Sequence, residues 1–185
     1  VLAALIVTAL LAGPSAFRID PAASEAGFEL KATMHTVHGS TNEVHGEVRV
    51  EPEAAGSLKV SGRIEIGAAS IATGNDKRDA TLHGKTLLVA SFPTLILEPE
   101  RFVPSGPAGA DGSMTGTLTG RFTLRGKTKA ISIATALAPK AGRIAASGTF
   151  DVRWAEFEIP DPSFFVVHIE DVAHAHFRAE FVREP

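Results

Sequence analysis

Val44-His45-Gly46-Glu47-Val48-Arg49-Val50-Glu51 sets an apolar residue or a glycine at every second position, with a polar residue between. Successive side chains of a strand point to opposite faces, so Val44, Gly46, Val48 and Val50 share one face and His45, Glu47, Arg49 and Glu51 the other. The pattern returns as Leu58, Val60, Gly62, Ile64 and Ile66 against Lys59, Ser61, Arg63 and Glu65. It returns again as Leu118, Gly120, Phe122 and Leu124 against Thr119, Arg121, Thr123 and Arg125, and in Ile144, Ala146, Gly148, Phe150, Val152 and Trp154. A sheet with one dry face must roll up or be covered. A closed barrel of about eight strands either fills with side chains or holds one small ligand, and glycine or alanine at inward positions shifts the balance toward a cavity. Gly46, Gly62, Gly120 and Gly148 therefore have two readings: they leave space inside, or they let strands coil sharply at barrel corners.

Outward from these stretches, Phe17 to Asp20 and Glu25 to Met34 read as two opening strands, with Asp20-Pro21 as the turn between them. Further strands read at about 43–51, 57–66, 95–102, 114–125, 129–138, 143–154 and 164–182, with a turn at Gly126 and a break near Glu170-Asp171. Between about 75 and 90 the alternation lapses, and Ala80, Leu82, Leu87 and Leu88 fit one or two short helices. Asn75 or Asp76 can cap the first, and Gly84 interrupts the run. The pattern predicts an all-β fold: an antiparallel barrel of about eight strands with one short helical insertion, or else an open sandwich.

At 185 residues and 44% hydrophobic content, the chain suits one domain with a substantial core. A net charge of −3 without a long basic run argues against nucleic acid as a partner. The absence of cysteine excludes disulfides, thiol nucleophiles, iron–sulfur clusters and Cys-based zinc sites. Val1 to Ala12 is uncharged and rich in Ala and Leu, and Gly13-Pro14-Ser15-Ala16 follows. This reads as part of a secretory signal peptide covering residues 1–16, since about 12 apolar residues fall short of the roughly 20 that span a membrane. The mature domain is then 17–185, released to the periplasm or the external medium. No cysteine follows Leu11-Ala12-Gly13, so a lipid anchor is not expected.

Chemistry-bearing motifs are few. His35 and His38 flank a Gly39-Ser40-Thr41 segment that reads as a turn, and His174 and His176 fall on the polar register of the last strand, so no metal site is expected. There is no Gly-x-Ser-x-Gly elbow, no phosphate-cradling glycine loop and no His-Glu-x-x-His. The chain therefore reads as a non-enzyme, without a catalytic cofactor. Arg78-Asp79 stands out in the apolar insertion, either as an ion pair or cap pinning that segment or as a polar contact at the barrel mouth.

Four segments in order carry a family likeness: Phe17-Arg18-Ile19-Asp20-Pro21 with Ser24; Ser70-Ile71, Thr73-Gly74-Asn75, Arg78-Asp79 and Leu82, ending in Phe92-Pro93; Gly116, Leu118-Thr119, Phe122-Thr123-Leu124, Gly126 and Thr128-Lys129; and Phe157 and Ile159 with Pro162-Ser163-Phe164. This ordered set resembles the YceI-like family of exported polyisoprenoid-binding proteins. The chain departs from the family at Leu87 and Leu88, where aromatic residues are usual, at Phe92, often Tyr, and at Glu158, usually Gly. The resemblance implies a lipocalin-like barrel whose apolar tunnel holds a polyisoprenoid chain, often that of a quinone. It also allows transient membrane contact and a homodimer.

Strand register then gives the expected ligand wall: Phe28, Leu30, Met34, Val48, Val60, Ile64, Leu118, Phe122, Ile131, Ile133, Phe150, Val152, Phe165, Val167 and Phe177. Arg78, Asp79 and Leu82 of the insertion join it at the mouth. The expected function is an exported carrier or store for a polyisoprenoid or similar long-chain amphiphile. The alternatives are a filled barrel acting as an interaction module, and an enzyme acting on a bound lipid.

Overall fold

Period-two alternation produces strands here wherever it is sustained. The computed structural model describes residues 13–33, 35–140, 143–161 and 169–184. Its strands are β1 (Ser15–Ala32), β2 (His35–Thr41), β3 (Val44–Pro52), β4 (Leu58–Gly67), β5 (Thr94–Pro104), β6 (Met114–Leu124), β7 (Lys127–Lys140), β8 (Arg143–Arg153) and β9 (Val172–Arg183). Each of β3 to β8 pairs antiparallel with the next, and β9 pairs with β1 from Phe17–Arg183 to Glu29–His174. That last ladder closes the sheet and rules out the open sandwich. On its other side β1 carries β2 along its C-terminal half and β3 along its N-terminal half, so β2 is the extra strand of an eight-stranded barrel.

Two local expectations are corrected. Asp20-Pro21 does not turn the chain: β1 continues through a bulge, Asp20 facing Glu180 and Glu25 facing Arg178. The Ser24 hydroxyl donates to the Asp20 carbonyl at 2.7 Å and accepts from the Glu180 N–H at 3.1 Å, which stitches the bulge to β9. Arg143 of β8 reaches the Asp20 carboxylate and holds its pKa below the ordinary value. His35 to Thr41 is a strand and not a loop. Val37, Gly39 and Thr41 are its buried positions, and the Phe28 ring occupies the space where a side chain at Gly39 would stand.

The structure decides between the two readings of the inward glycines. Gly46 and Gly62 have φ of +148° and +143°, and a Cβ on either would run into the carbonyl of the facing strand, Arg63 and Glu47 respectively. Gly120 likewise lies against the Glu98 carbonyl and Pro99. At Gly148 the Phe177 ring and an Ile133 methyl fill the space. Close approach is therefore their role.

The insertion forms as predicted. Asn75 caps α1 (Asp76–Thr81) by accepting from the Arg78 N–H at 3.0 Å, and a π-helical turn, Leu82–Leu87, follows. Gly84 lies inside that turn and does not interrupt it; the run ends at Leu88, with φ 53°. Met34, Phe165, Val167 and the segment Val1 to Ala12 lie outside the described residues.

The glycine assignment predicts that Gly62→Val lowers stability by more than the roughly 1–3 kcal/mol that a strained backbone costs alone. Gly84→Ala, with no atom within 4 Å of the added Cβ, raises it by about 0.5–1 kcal/mol. Urea unfolding of the two variants measures both.

Candidate functional site

Closure turns the apolar register of every strand inward, and a cavity of about 460 Å³ results. Phe28, Leu30, Val48, Val60, Ile64, Leu118, Phe122, Phe150, Val152 and Phe177 all line it, with Arg78 and Leu82 from the insertion. The lining runs the length of the barrel, from Phe17, Phe102 and Met114 at one end to Ile71, Leu87, Trp154 and Ile159 at the other. Space inside comes from alanine rather than from the glycines of the strand corners. Ala146 on β8 and Ala173, Ala175 and Ala179 on β9 face the cavity where larger residues would fill it.

Three expected wall residues stand elsewhere. Ile133 is fully buried within the core and Ile131 packs against that core, neither of them lining the cavity. The reason is Gly148, whose missing side chain lets the Phe177 ring settle against Ile133 and cover it. Asp79 turns to the loop before α1, where its carboxylate accepts from the Thr73 N–H at 2.9 Å and the Thr73 hydroxyl at 2.5 Å. The Thr73 hydroxyl in turn accepts from Arg78 Nε at 2.7 Å, and Arg78 Nη2 donates to the Thr73 carbonyl at 2.9 Å. Thus Asp79 and Arg78 both pin the insertion, and only Arg78 also reaches the wall.

The insertion end is tied down from several sides. Ala72 and Ser40 exchange backbone hydrogen bonds at 3.0 Å, His83 Nε2 lies 2.8 Å from the Ile71 carbonyl, and the Ala68 N–H donates to the Pro93 carbonyl at 2.9 Å. Phe92 packs beside Gly126 of the β6–β7 turn. Beside that turn, Arg125 donates to the Glu158 carbonyl at 2.8 Å and Lys127 pairs with the Glu158 carboxylate at 2.8 Å. Glu158 adopts φ 54°, a left-handed conformation, at the position where the resembled family carries glycine.

Glu25, Arg78 and His176 are the titratable residues among those that line the cavity. His176 keeps the outward register between the inward Ala175 and Phe177, and its ring lies across Gly27 of β1, where no side chain blocks it. His174 does face outward and lies 2.7 Å from Asp151. Among the described residues no group of three or more His, Cys, Asp or Glu is placed to hold a metal ion, and no helix is long and apolar enough to cross a membrane. Sequence register missed Val50, Leu58, Ile144, Ala146 and Trp154 as wall residues, although all five stand in alternating stretches that it identified.

The model of the YceI-like domain matches residues 17–181. Among solved structures, BcnA of Burkholderia cenocepacia superposes with a TM-score of 0.71 at 18% identity, over 88% of this chain and 98% of its own. A polyisoprenoid binding domain from Saccharophagus degradans, implicated in plant cell wall breakdown, gives 0.71 at 16% identity over 92% and 99%. The YCEI protein of Campylobacter jejuni gives 0.61 at 18% identity over 83% and 88%. No curated protein matches the chain.

Hydrogen bonding from Thr73 holds the Asp79 carboxyl below the ordinary aspartate value of 3.8. Ionised Asp79 thus contributes stability that is fully present above that value and is lost as the pH falls through the lowered one. Asp79→Asn is accordingly less stable than the wild type at pH ~7, and the gap narrows as the pH falls through the lowered Asp79 value. Urea titrations at several pH values test this.

Proposed function

Because this chain belongs to the YceI-like family, we propose that it binds a polyisoprenoid chain, such as that of an isoprenoid quinone, inside the barrel and serves as its carrier or store. The observation that carries the proposal is the cavity itself: about 460 Å³, walled almost wholly by apolar side chains and running along the barrel. That volume lies within the roughly 300–1,000 Å³ of small-molecule sites. The description of the Saccharophagus degradans neighbour as a polyisoprenoid binding domain supports the same ligand class. Phe28, Leu30, Val48, Val60, Ile64, Leu118, Phe122, Phe150, Val152 and Phe177 are the proposed contacts along the chain, with Leu82 and Arg78 at the helical end.

Burial energetics suit this role. Each isoprene unit buries several carbons at about 0.8 kcal/mol per CH₂, so uptake from water is strongly favourable. A bilayer solvates the same chain about as well as the barrel does. Net transfer between the two is therefore close to balanced, which suits pick-up and delivery by transient membrane contact. Val1 to Ala12 serves in this reading as the apolar part of an export signal, placing the barrel in the periplasm or outside the cell.

Organic extracts of the natively purified protein, read by mass spectrometry, are expected to contain a stoichiometric isoprenoid lipid. Ala175→Phe, which projects a ring into the cavity, lowers isoprenoid uptake at least about tenfold in a folded protein. Phe122→Glu abolishes uptake or folding. Arg121→Glu, on the outer face beside Glu98 and Glu100, leaves uptake intact. An empty extract together with no uptake of added isoprenoids would overturn the proposal.

A further inference from the structure

At the end of the barrel away from the insertion, side chains cross the bore. Phe17 of β1, Val50 of β3, Leu58 of β4 and Phe102 of β5 belong to one buried cluster, and Leu137 of β7 and Ile144 of β8 pack against it. Neither β7 nor β8 neighbours any of those four strands in the sheet, so these contacts span the interior instead of running along the wall. Phe102 is 1% exposed, and its ring fills the space where a side chain at Gly116 of β6 would stand. Gly112, buried in the loop between β5 and β6, completes the wall at this end. The helical end differs: Arg78, Thr81 and Thr86 of the insertion line the cavity there, and Thr81 is exposed.

We propose that the tunnel opens at the insertion and is blind at the far end, and that Phe102 is the stop that limits the isoprenoid tail to about four units. This rests on the container reading above and adds a tail length to its ligand. On β9 the inward positions run from Ala173 to Phe181, about 27 Å of strand, or about 20 Å along the axis at a barrel tilt of about 40°. Extended isoprene units of roughly 5 Å each fill that depth with about four. A longer tail leaves units in water at the mouth, and a shorter one leaves apolar wall unfilled. A bilayer solvates every unit alike, so transfer out of it selects the tail that fits.

Phosphatidylcholine vesicles loaded with diprenyl, tetraprenyl, hexaprenyl or octaprenyl benzoquinone supply the test, read as quinone taken up per protein. Uptake by the wild-type chain is expected to peak at the tetraprenyl compound and to fall at least about tenfold at the octaprenyl one. Phe102→Ala removes the ring beside Gly116 and is expected to move the peak to the hexaprenyl compound. Ala179→Leu adds bulk to the wall between Phe177 and Phe181, moves the peak to the diprenyl compound, and serves where Phe102→Ala does not fold. An octaprenyl quinone taken up as well as the tetraprenyl one by the wild-type chain would overturn the blind end. A peak that stays in place in either folded variant would overturn the length limit. Failure of all four quinones to enter the wild-type chain would instead overturn the container reading, and the stop with it.

Discussion

Pairing of β9 with β1 is the constraint on which the rest of the structure depends. An antiparallel sheet with one apolar face has two problems: edges with unpaired backbone groups, and a dry surface with nothing against it. The β1–β9 ladder resolves both for the eight barrel strands, since closure pairs β9 with β1 and turns the dry face onto itself. The seam is reinforced where it is irregular. Ser24 ties the β1 bulge to Glu180, and Arg143 reaches Asp20 from β8, so three consecutive strands are joined at the point of closure.

Closure alone does not leave a cavity; side-chain size does. Along β9 the inward positions are Ala173, Ala175, Phe177, Ala179 and Phe181, and the alanines set the distance between opposite walls. The glycines serve the backbone. Gly46 and Gly62 accept positive φ and let β3 and β4 approach closely, which bends the sheet enough to close. Small residues thus act in two separate ways: without a side chain they curve the wall, and with a single methyl they hollow it.

The two ends of the barrel differ in kind. At the far end the wall is made by strands and short connections, with Phe17, Phe102 and Met114 lining it. At the helical end the insertion, the β6–β7 turn and the segment after β8 are held together by Thr73 with Arg78 and Asp79, by Phe92 against Gly126, and by Glu158 with Arg125 and Lys127. Arg78 stands on the wall there.

The amino-acid sequence by itself determined the all-β class, the positions of nearly all strands, the helical insertion and most of the apolar wall. These are local properties: a period of two specifies which side chains share a face, and Asn75 with the apolar spacing of Leu82 and Leu87 specifies a capped helix. Only the tertiary structure decided the rest. Whether Asp20-Pro21 turns the chain or bulges within a strand depends on Glu180, 160 residues later, offering Ser24 a partner. Whether His35 to Thr41 is loop or strand depends on Phe28 needing Gly39 beneath its ring. Ile133 and Leu118 have the same alternation, yet Gly148 and Phe177 seal the first away and leave the second on the cavity. Alternation fixes the side on which a residue lies, whereas its distance from the barrel axis is set by neighbours on strands far away in the chain.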